Sequence, residues 1–336
     1  MSDGGEGFGE ILGQQLNAEP QTCGATVDSA WRERDAQWWL NRDTRTAVFE
    51  TAQVNGLALL PPKEYHPFKL DTYGIGAVFK AIAQAGVRRL YVGLGGSATN
   101  DGGFGLARSL GWRFWNNKIE LMKWTELDQL TRVKEPEPAN ALFFDELIIA
   151  TDVTNPLLGH NGATRVYGRQ KGLCDEEQFC KAEACLDRLA KTMATVKAND
   201  FSLDKGAGAA GGLGFGLKVF FGGRFESGFD ILAREYELRS RMQAVDLVIT
   251  GEGAMDEQSV QGKVVGKVAQ MAAEEGKRCI CLAGIILSDS STLPWPDFKA
   301  YAIVPEITSS KHESMTNAAD CLRRLAMAAA LEARSR

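Results

Sequence analysis

Apolar positions in this chain come in short runs, and several of these runs open into loops rich in glycine and small polar residues. Leu90-Tyr91-Val92 has strand character and empties into Gly93-Leu-Gly-Gly-Ser-Ala-Thr-Asn-Asp-Gly-Gly103, a loop with five glycines. Phe104 to Gly111 then reads as a helix closed by glycine. Leu147 to Ala150 predicts a second strand, whose exit is Thr151-Asp-Val-Thr-Asn-Pro-Leu-Leu-Gly159. Asp246 to Thr250 predicts a third, running into Gly251-Glu-Gly-Ala-Met-Asp-Glu-Gln-Ser-Val-Gln-Gly-Lys263, with a helix from Val264 to Glu275 stopped by Gly276. Thr46 to Glu50, Cys279 to Ala283 and Tyr301 to Val304 are further strand candidates. Helical spacing marks Phe8 to Leu16, Asp175 to Ala198, Thr316 to Ala333, and Thr72 to Ala85 with Ile75, Val78, Phe79, Ile82 and Ala83 on one face. Trp112 to Asn140 is polar and proline-bearing and reads as a surface excursion. Strands alternating with helices in the C-terminal third predict a parallel sheet.

Gly206-Ala-Gly-Ala-Ala-Gly-Gly-Leu-Gly-Phe-Gly216 stands apart. Such density of glycine suits either close approach of backbone to a ligand or a close-packed helix contact.

At 336 residues the chain exceeds one typical core and predicts two domains. A net charge of −5 advertises no basic face for nucleic acid. No apolar run is long enough for a membrane span, so the expected setting is soluble and cytoplasmic. The seven cysteines are not spaced with any of the three histidines as a zinc site and read as thiols.

A strand, a glycine-rich loop and a helix N-terminus together form an anion site, because unpaired backbone N–H groups point at the ligand. Ser97, Thr99, Asn100 and Asp101 add hydroxyl, amide and carboxylate groups there. Asp152 ends a buried strand, where ligands bind in open α/β sheets. Arg165, Arg169 and Lys171 are either solvated surface charge or partners of phosphate oxygens. The carboxylates Asp3, Asp101, Asp152, Glu252 and Asp256, with loop N–H donors and nearby cations, suit metal-assisted phosphoryl transfer. No nucleophile elbow, Walker loop or protein-kinase signature is present. Gly93-x-Gly-x-x-Ala98 formally matches a dinucleotide fingerprint, but Thr99 to Gly103 prolongs the loop and no acid-ended strand follows.

Taken in order, the loops at 93–103, 151–159, 167–172, 206–212 and 246–263 resemble those of the type I glycerate kinase family, and Ser2-Asp-Gly-Gly-Glu-Gly7 matches another of its loops. The resemblance implies an ATP-dependent kinase that phosphorylates a hydroxyl of glycerate with Mg2+. It also implies two unlike α/β domains, one flavodoxin-like with a parallel sheet and one inserted into the other, with the active site in the cleft between them. Residues of about 1–20 and 244–336 would form the discontinuous domain and about 21–243 the inserted one. Glycerate is expected at Asp3, Ser97, Asn100 and Asp101. Nucleotide phosphates are expected at Gly95, Gly96, Lys171, Gly211, Gly212, Gly251, Gly253 and Ser259, with Lys263 as a further cation in the reaction. Mg2+ is expected at Asp152, Glu252 or Asp256, and either Asp101 or Asp152 would orient the acceptor hydroxyl.

Three features depart from the family pattern. Its members carry a βαβ segment ahead of the Asp-Gly-Gly-Glu-Gly loop, whereas this chain starts at that loop, which predicts missing strands and an exposed sheet edge. Ala254 stands where the family has arginine, and Gly284 to Ser291 with Pro305 to Thr308 diverge from its small-residue loops. They make a non-catalytic, ligand-binding remnant the competing expectation.

Overall fold

A computed structural model describes residues 4–5, 7–137, 144–256, 259, 264–287, 295 and 297–334. The chain divides into two compact units, Met1–Ile231 and Leu232–Arg336.

The first unit is built on a six-stranded sheet in the order β1-β2-β3-β4-β7-β8. Its strands are β1 (Glu19–Val27), β2 (Glu33–Asn41), β3 (Thr46–Glu50), β4 (Arg89–Gly93), β7 (Glu146–Ala150) and β8 (Arg224–Glu226). β3, β4, β7 and β8 run parallel, and β1 and β2 extend the sheet as an antiparallel hairpin. β3, β4 and β7 are almost wholly buried, which explains their near-continuous apolar sequences. β1 is mostly exposed and polar, so its periodicity hides it in the sequence.

Helix α1 (Phe8–Gln15) lies on β3 and β2. A Cβ on Gly9 or Gly13 would stand 2.2 or 2.7 Å from the Trp39 ring, so those two glycines, one turn apart, let the helix seat flat on the indole. These contacts lie within the first unit. Glu50, at the end of β3, accepts the N–H groups of Gly7 and Gly9 at 3.1 and 3.2 Å and so supplies the helix's N-terminal acceptor from across the sheet.

After α2 (Ala52–Asn55), α3 (Ile75–Gln84) buries Ile75, Val78, Phe79 and Ile82 against one sheet face, as its spacing predicts. Past α4 (Phe104–Ser109), the stretch expected as a surface excursion proves to be a second core. Trp112, Phe114, Trp124, Leu127 and Leu130 are buried beneath α6 (Glu176–Lys197), around the two-stranded β5 (Arg113–Trp115) and β6 (Arg132–Lys134). Its many polar residues mask these widely spaced apolar anchors. α5 (Ala163–Lys171) precedes α6, and α7 (Ala209–Phe221) follows it.

The second unit holds a three-stranded parallel sheet in the order β11-β10-β9. β9 (Leu247–Met255) runs past the expected end at Thr250, because Gly251 to Met255 stay paired with β10 (Arg278–Ile286). β10 alternates its faces: Ile280 packs with Tyr301 of β11 (Phe298–Ala302) and with Leu325 and Ala329 of helix Ala318–Arg334. Cys281 and Ala283 face Met255 and Val265, the latter from helix Val264–Glu274. Ile249, on the edge strand β9, is exposed.

Candidate functional site

The parallel strands of the first unit direct their C-terminal ends to one edge, where such sheets hold ligands. The chain after β4 crosses this edge as the loop 94–103. A Cβ on Gly93 would meet the Gly4 carbonyl at 2.7 Å, one on Gly95 the Gly5 Cα at 2.5 Å, and one on Gly4 the Ala150 carbonyl at 2.6 Å. The N-terminal glycines are thus threaded between the ends of β4 and β7, and glycine is needed for that approach.

Two helices, α2 and α5, clasp the loop. From the end of α2, Asn55 accepts Ala98 N–H at 2.7 Å on its carbonyl and donates its amide to the Thr99 hydroxyl at 3.2 Å. From α5, the Thr164 hydroxyl accepts the Asn100 amide at 3.0 Å. At the end of α5, Lys171 Nζ donates to Ser97 Oγ at 3.0 Å and to the Thr99 carbonyl at 2.7 Å. Asn55, Thr99, Asn100 and Thr164 are buried, as are Ser97 and Lys171, while Gly96 beside them is exposed and Gly95 half-buried. Among the described residues, Asn55 Oδ1 and Asn100 Oδ1 have no hydrogen-bond donor. Two orphaned buried acceptors in one cluster are unusual for a folded protein and mark a place that a polar molecule can complete. Burial pushes the Lys171 amine down to about 7, against the pull of the Asp101 carboxylate.

Asp101, within the loop, turns its side chain toward Thr72 and the start of α4. Its Oδ2 accepts Thr72 N–H, the Thr72 hydroxyl and Gly105 N–H at 2.9, 2.8 and 2.9 Å, and its Oδ1 accepts Gly103 N–H at 3.1 Å. Burial pushes its pKa up and these donors pull it back. Neighbouring Asp71 is raised to about 6, first by burial and then by the Asp101 charge.

Gly211 and Gly212, expected at phosphates, are buried with left-handed backbones, and with Ala210 they break the regularity of α7. A Cβ on Gly211 would stand 1.9 Å from the Thr99 carbonyl, so this cluster carries α7 against the loop in a close packing contact. Asp152 turns to the chain after β8: its Oδ1 accepts the Ser227 hydroxyl at 2.6 Å and its Oδ2 accepts Phe229 N–H at 3.1 Å. Arg165 pairs with Glu176 at 2.7 Å.

In the second unit, Gly251 and Gly253 are strand residues of β9, and half-buried Glu252 lies between them. Asp256 and Ser259 bond reciprocally, with Asp256 Oδ1 accepting Ser259 N–H at 3.0 Å and Asp256 N–H donating to Ser259 Oγ at 3.0 Å. Asp3 and Lys263 lie outside the described residues. Among the described residues, no three His, Cys, Asp or Glu side chains are grouped to hold a metal ion. Sequence reasoning missed Asn55, Thr72 and Thr164; only Asn55, in an Asn-Gly turn dipeptide, leaves a local signal.

A profile of the glycerate kinase family matches residues 1–333. A glycerate kinase of Halalkalibacterium halodurans is 34% identical, over 84% of this chain and 75% of its own. Glycerate 2-kinase of Escherichia coli K12 is 33% identical, over 86% and 76%. The crystal structure of a Salmonella typhimurium LT2 protein assigned as glycerate kinase 2 superposes with a TM-score of 0.79 at 31% identity, covering 100% of this chain and 88% of that one. The two α/β units, the parallel sheets and the match over nearly the whole length agree: the chain belongs to the glycerate kinase family.

Proposed function

We propose that this protein transfers the γ-phosphoryl group of ATP to a hydroxyl of glycerate, with Mg2+ arriving on the nucleotide. The observation that carries this reading is the pair of orphaned amide oxygens, Asn55 Oδ1 and Asn100 Oδ1, gathered with Ser97, Thr99 and Lys171 in a chain of this family. A polyhydroxy acid brings the hydroxyl donors that such acceptors lack.

In this reading the Gly95 and Gly96 amides meet phosphate oxygens. Asp101 positions the loop through Thr72 and α4 and leaves direct ligand contact to Ser97 and Asn100. Mg2+ commonly binds one or two carboxylates together with substrate phosphates, which is the form in which a nucleotide complex would bring it. Asp152 of the first unit, or else Glu252 or Asp256 of the second, is its candidate protein ligand, directly or through water, and the metal would neutralise charge on the transferring group. A cytoplasmic setting suits these diffusible substrates, and no described helix is long and apolar enough to cross a membrane.

The test is glycerate-dependent ADP release by the purified chain with Mg-ATP, repeated with a chelator, with phosphorus NMR of the product. Release that needs glycerate, ATP and metal is expected. A folded, monodisperse sample that binds glycerate without releasing ADP would overturn the reading in favour of the binding remnant.

A further inference from the structure

Lys171 is the buried cation that phosphate binding does not explain. Its Nζ is turned into the protein, on Ser97 Oγ at 3.0 Å and the Thr99 carbonyl at 2.7 Å. Among the described residues no carboxylate forms an ion pair with it, although burying a cation without a counter-charge is costly. The Thr99 carbonyl can only accept and so takes one N–H. Ser97 Oγ can accept from an ammonium or, when the amine is neutral, donate its own proton to the nitrogen lone pair. The Ser97–Lys171 contact therefore has two protonation states that share one geometry.

We propose that Ser97 and Lys171 form a proton relay for the acceptor hydroxyl, with Ser97 touching the substrate and Lys171 positioning Ser97 and receiving its proton. This rests on the glycerate-phosphorylating reading. The acceptor oxygen forms its bond to the transferring phosphorus as the bond from phosphorus to the leaving nucleoside diphosphate oxygen breaks, and that electron pair departs with the diphosphate. The acceptor's proton passes to Ser97 Oγ while the Ser97 proton passes to Lys171 Nζ, leaving an ammonium that later releases its proton to water. No further co-reactant is needed.

The charged group facing Lys171 is Asp101, from the loop after β4, with Asp71 behind it; Ala209 to Leu213 of α7, which pack on the loop, carry no ionisable side chain. Burial holds the amine at about 7, where both forms are populated near neutral pH and a base works best. Asp101 opposes this shift and keeps it from going further.

The relay is tested by the pH dependence of kcat in the full chain with Mg-ATP and glycerate. Wild type is expected to gain activity with pH, with a midpoint of about 7. Ser97→Ala, which leaves the amine in place, is expected to lose about a hundredfold in kcat and the pH-dependent limb with it, with KM for ATP unchanged. Lys171→Arg, always protonated, is expected to match it. A limb that survives in Ser97→Ala, or a loss confined to KM for ATP, would overturn the relay. Isotope-labelled lysine NMR follows the Lys171 amine in wild type without any turnover: titration at about 7 is expected, and an amine still protonated above pH 9 would sink the relay. A chain that shows this titration but does not phosphorylate glycerate would instead refute the function the relay rests on.

Discussion

Thr72 and Asp101 meet twice: one carboxylate oxygen, Oδ2, accepts both the backbone N–H and the hydroxyl of Thr72, at 2.9 and 2.8 Å. The same Thr72 hydroxyl accepts Leu106 N–H at 2.9 Å. A residue ahead of α3 thereby fastens both the glycine loop and the first turn of α4. Thr72→Val keeps the shape and removes the hydroxyl, leaving Leu106 N–H and part of the carboxylate unsatisfied in a buried place. We expect a loss of about 2–3 kcal/mol in denaturant unfolding. A loss below about 0.5 kcal/mol would show that the pair does not hold the loop.

Asp71 titrates where its effect can be read. Its folded pKa of about 6 lies above the model-peptide carboxylate value, so the folded state binds more protons in between. The Asp71 contribution to stability is then greatest below about pH 4 and is lost as pH rises through about 6. Asp71→Asn keeps an acceptor for Tyr73 N–H, which bonds Oδ1 at 3.0 Å, and removes the charge. The variant is expected to be more stable than wild type by about 1–3 kcal/mol at pH 7, with the gain vanishing below about pH 4. Thermal unfolding across pH checks this, and an equal gain at both ends would refute it.

Gly211 and Gly96 both have left-handed backbones, yet only Gly211 has a neighbour where a Cβ would go. Gly211→Ala drives that Cβ toward the Thr99 carbonyl and is expected to cost about 3 kcal/mol or more. Gly96→Ala meets nothing within 4 Å and is expected to cost about 1–2 kcal/mol, from backbone strain alone. If the Gly96 amide meets a phosphate, this milder change also raises KM for ATP. Equal unfolding losses for the two variants would rule out close packing as the reason for Gly211.

Glu50 caps α1 from a distance. Glu50→Ala removes the acceptor of Gly7 and Gly9 N–H and is expected to destabilise by about 1–2 kcal/mol. Hydrogen exchange should quicken first over Phe8–Gln15; exchange that quickens evenly over the unit would contradict a local cap.

Local signals were legible wherever the physics is local. Thr46–Glu50 matches its apolar run to the residue, and α6 opens at Asp175, whose side chain accepts Gln178 N–H at 2.9 Å. β1 was not legible, because an exposed polar strand owes its conformation to pairing with β2. The core around Trp124 was hidden for the opposite reason: few apolar residues, far apart in sequence, converge only once α6 covers them. β9 outran its expected end because Gly251 to Met255 are held by β10, which glycine's local preference does not reveal.

By itself the sequence determined the family, the strand–loop–helix units and the places where only glycine suits the backbone, since each of these is written in consecutive residues. Tertiary structure decided what the polar groups do. It turned Asp101 inward onto Thr72, spent Gly211 on packing, and brought Asn55, Ser97, Asn100, Thr164 and Lys171 together from three separate segments. Burial, orphaned acceptors and a lowered amine pKa are properties of that convergence, because desolvation depends on neighbours that the chain brings together only on folding.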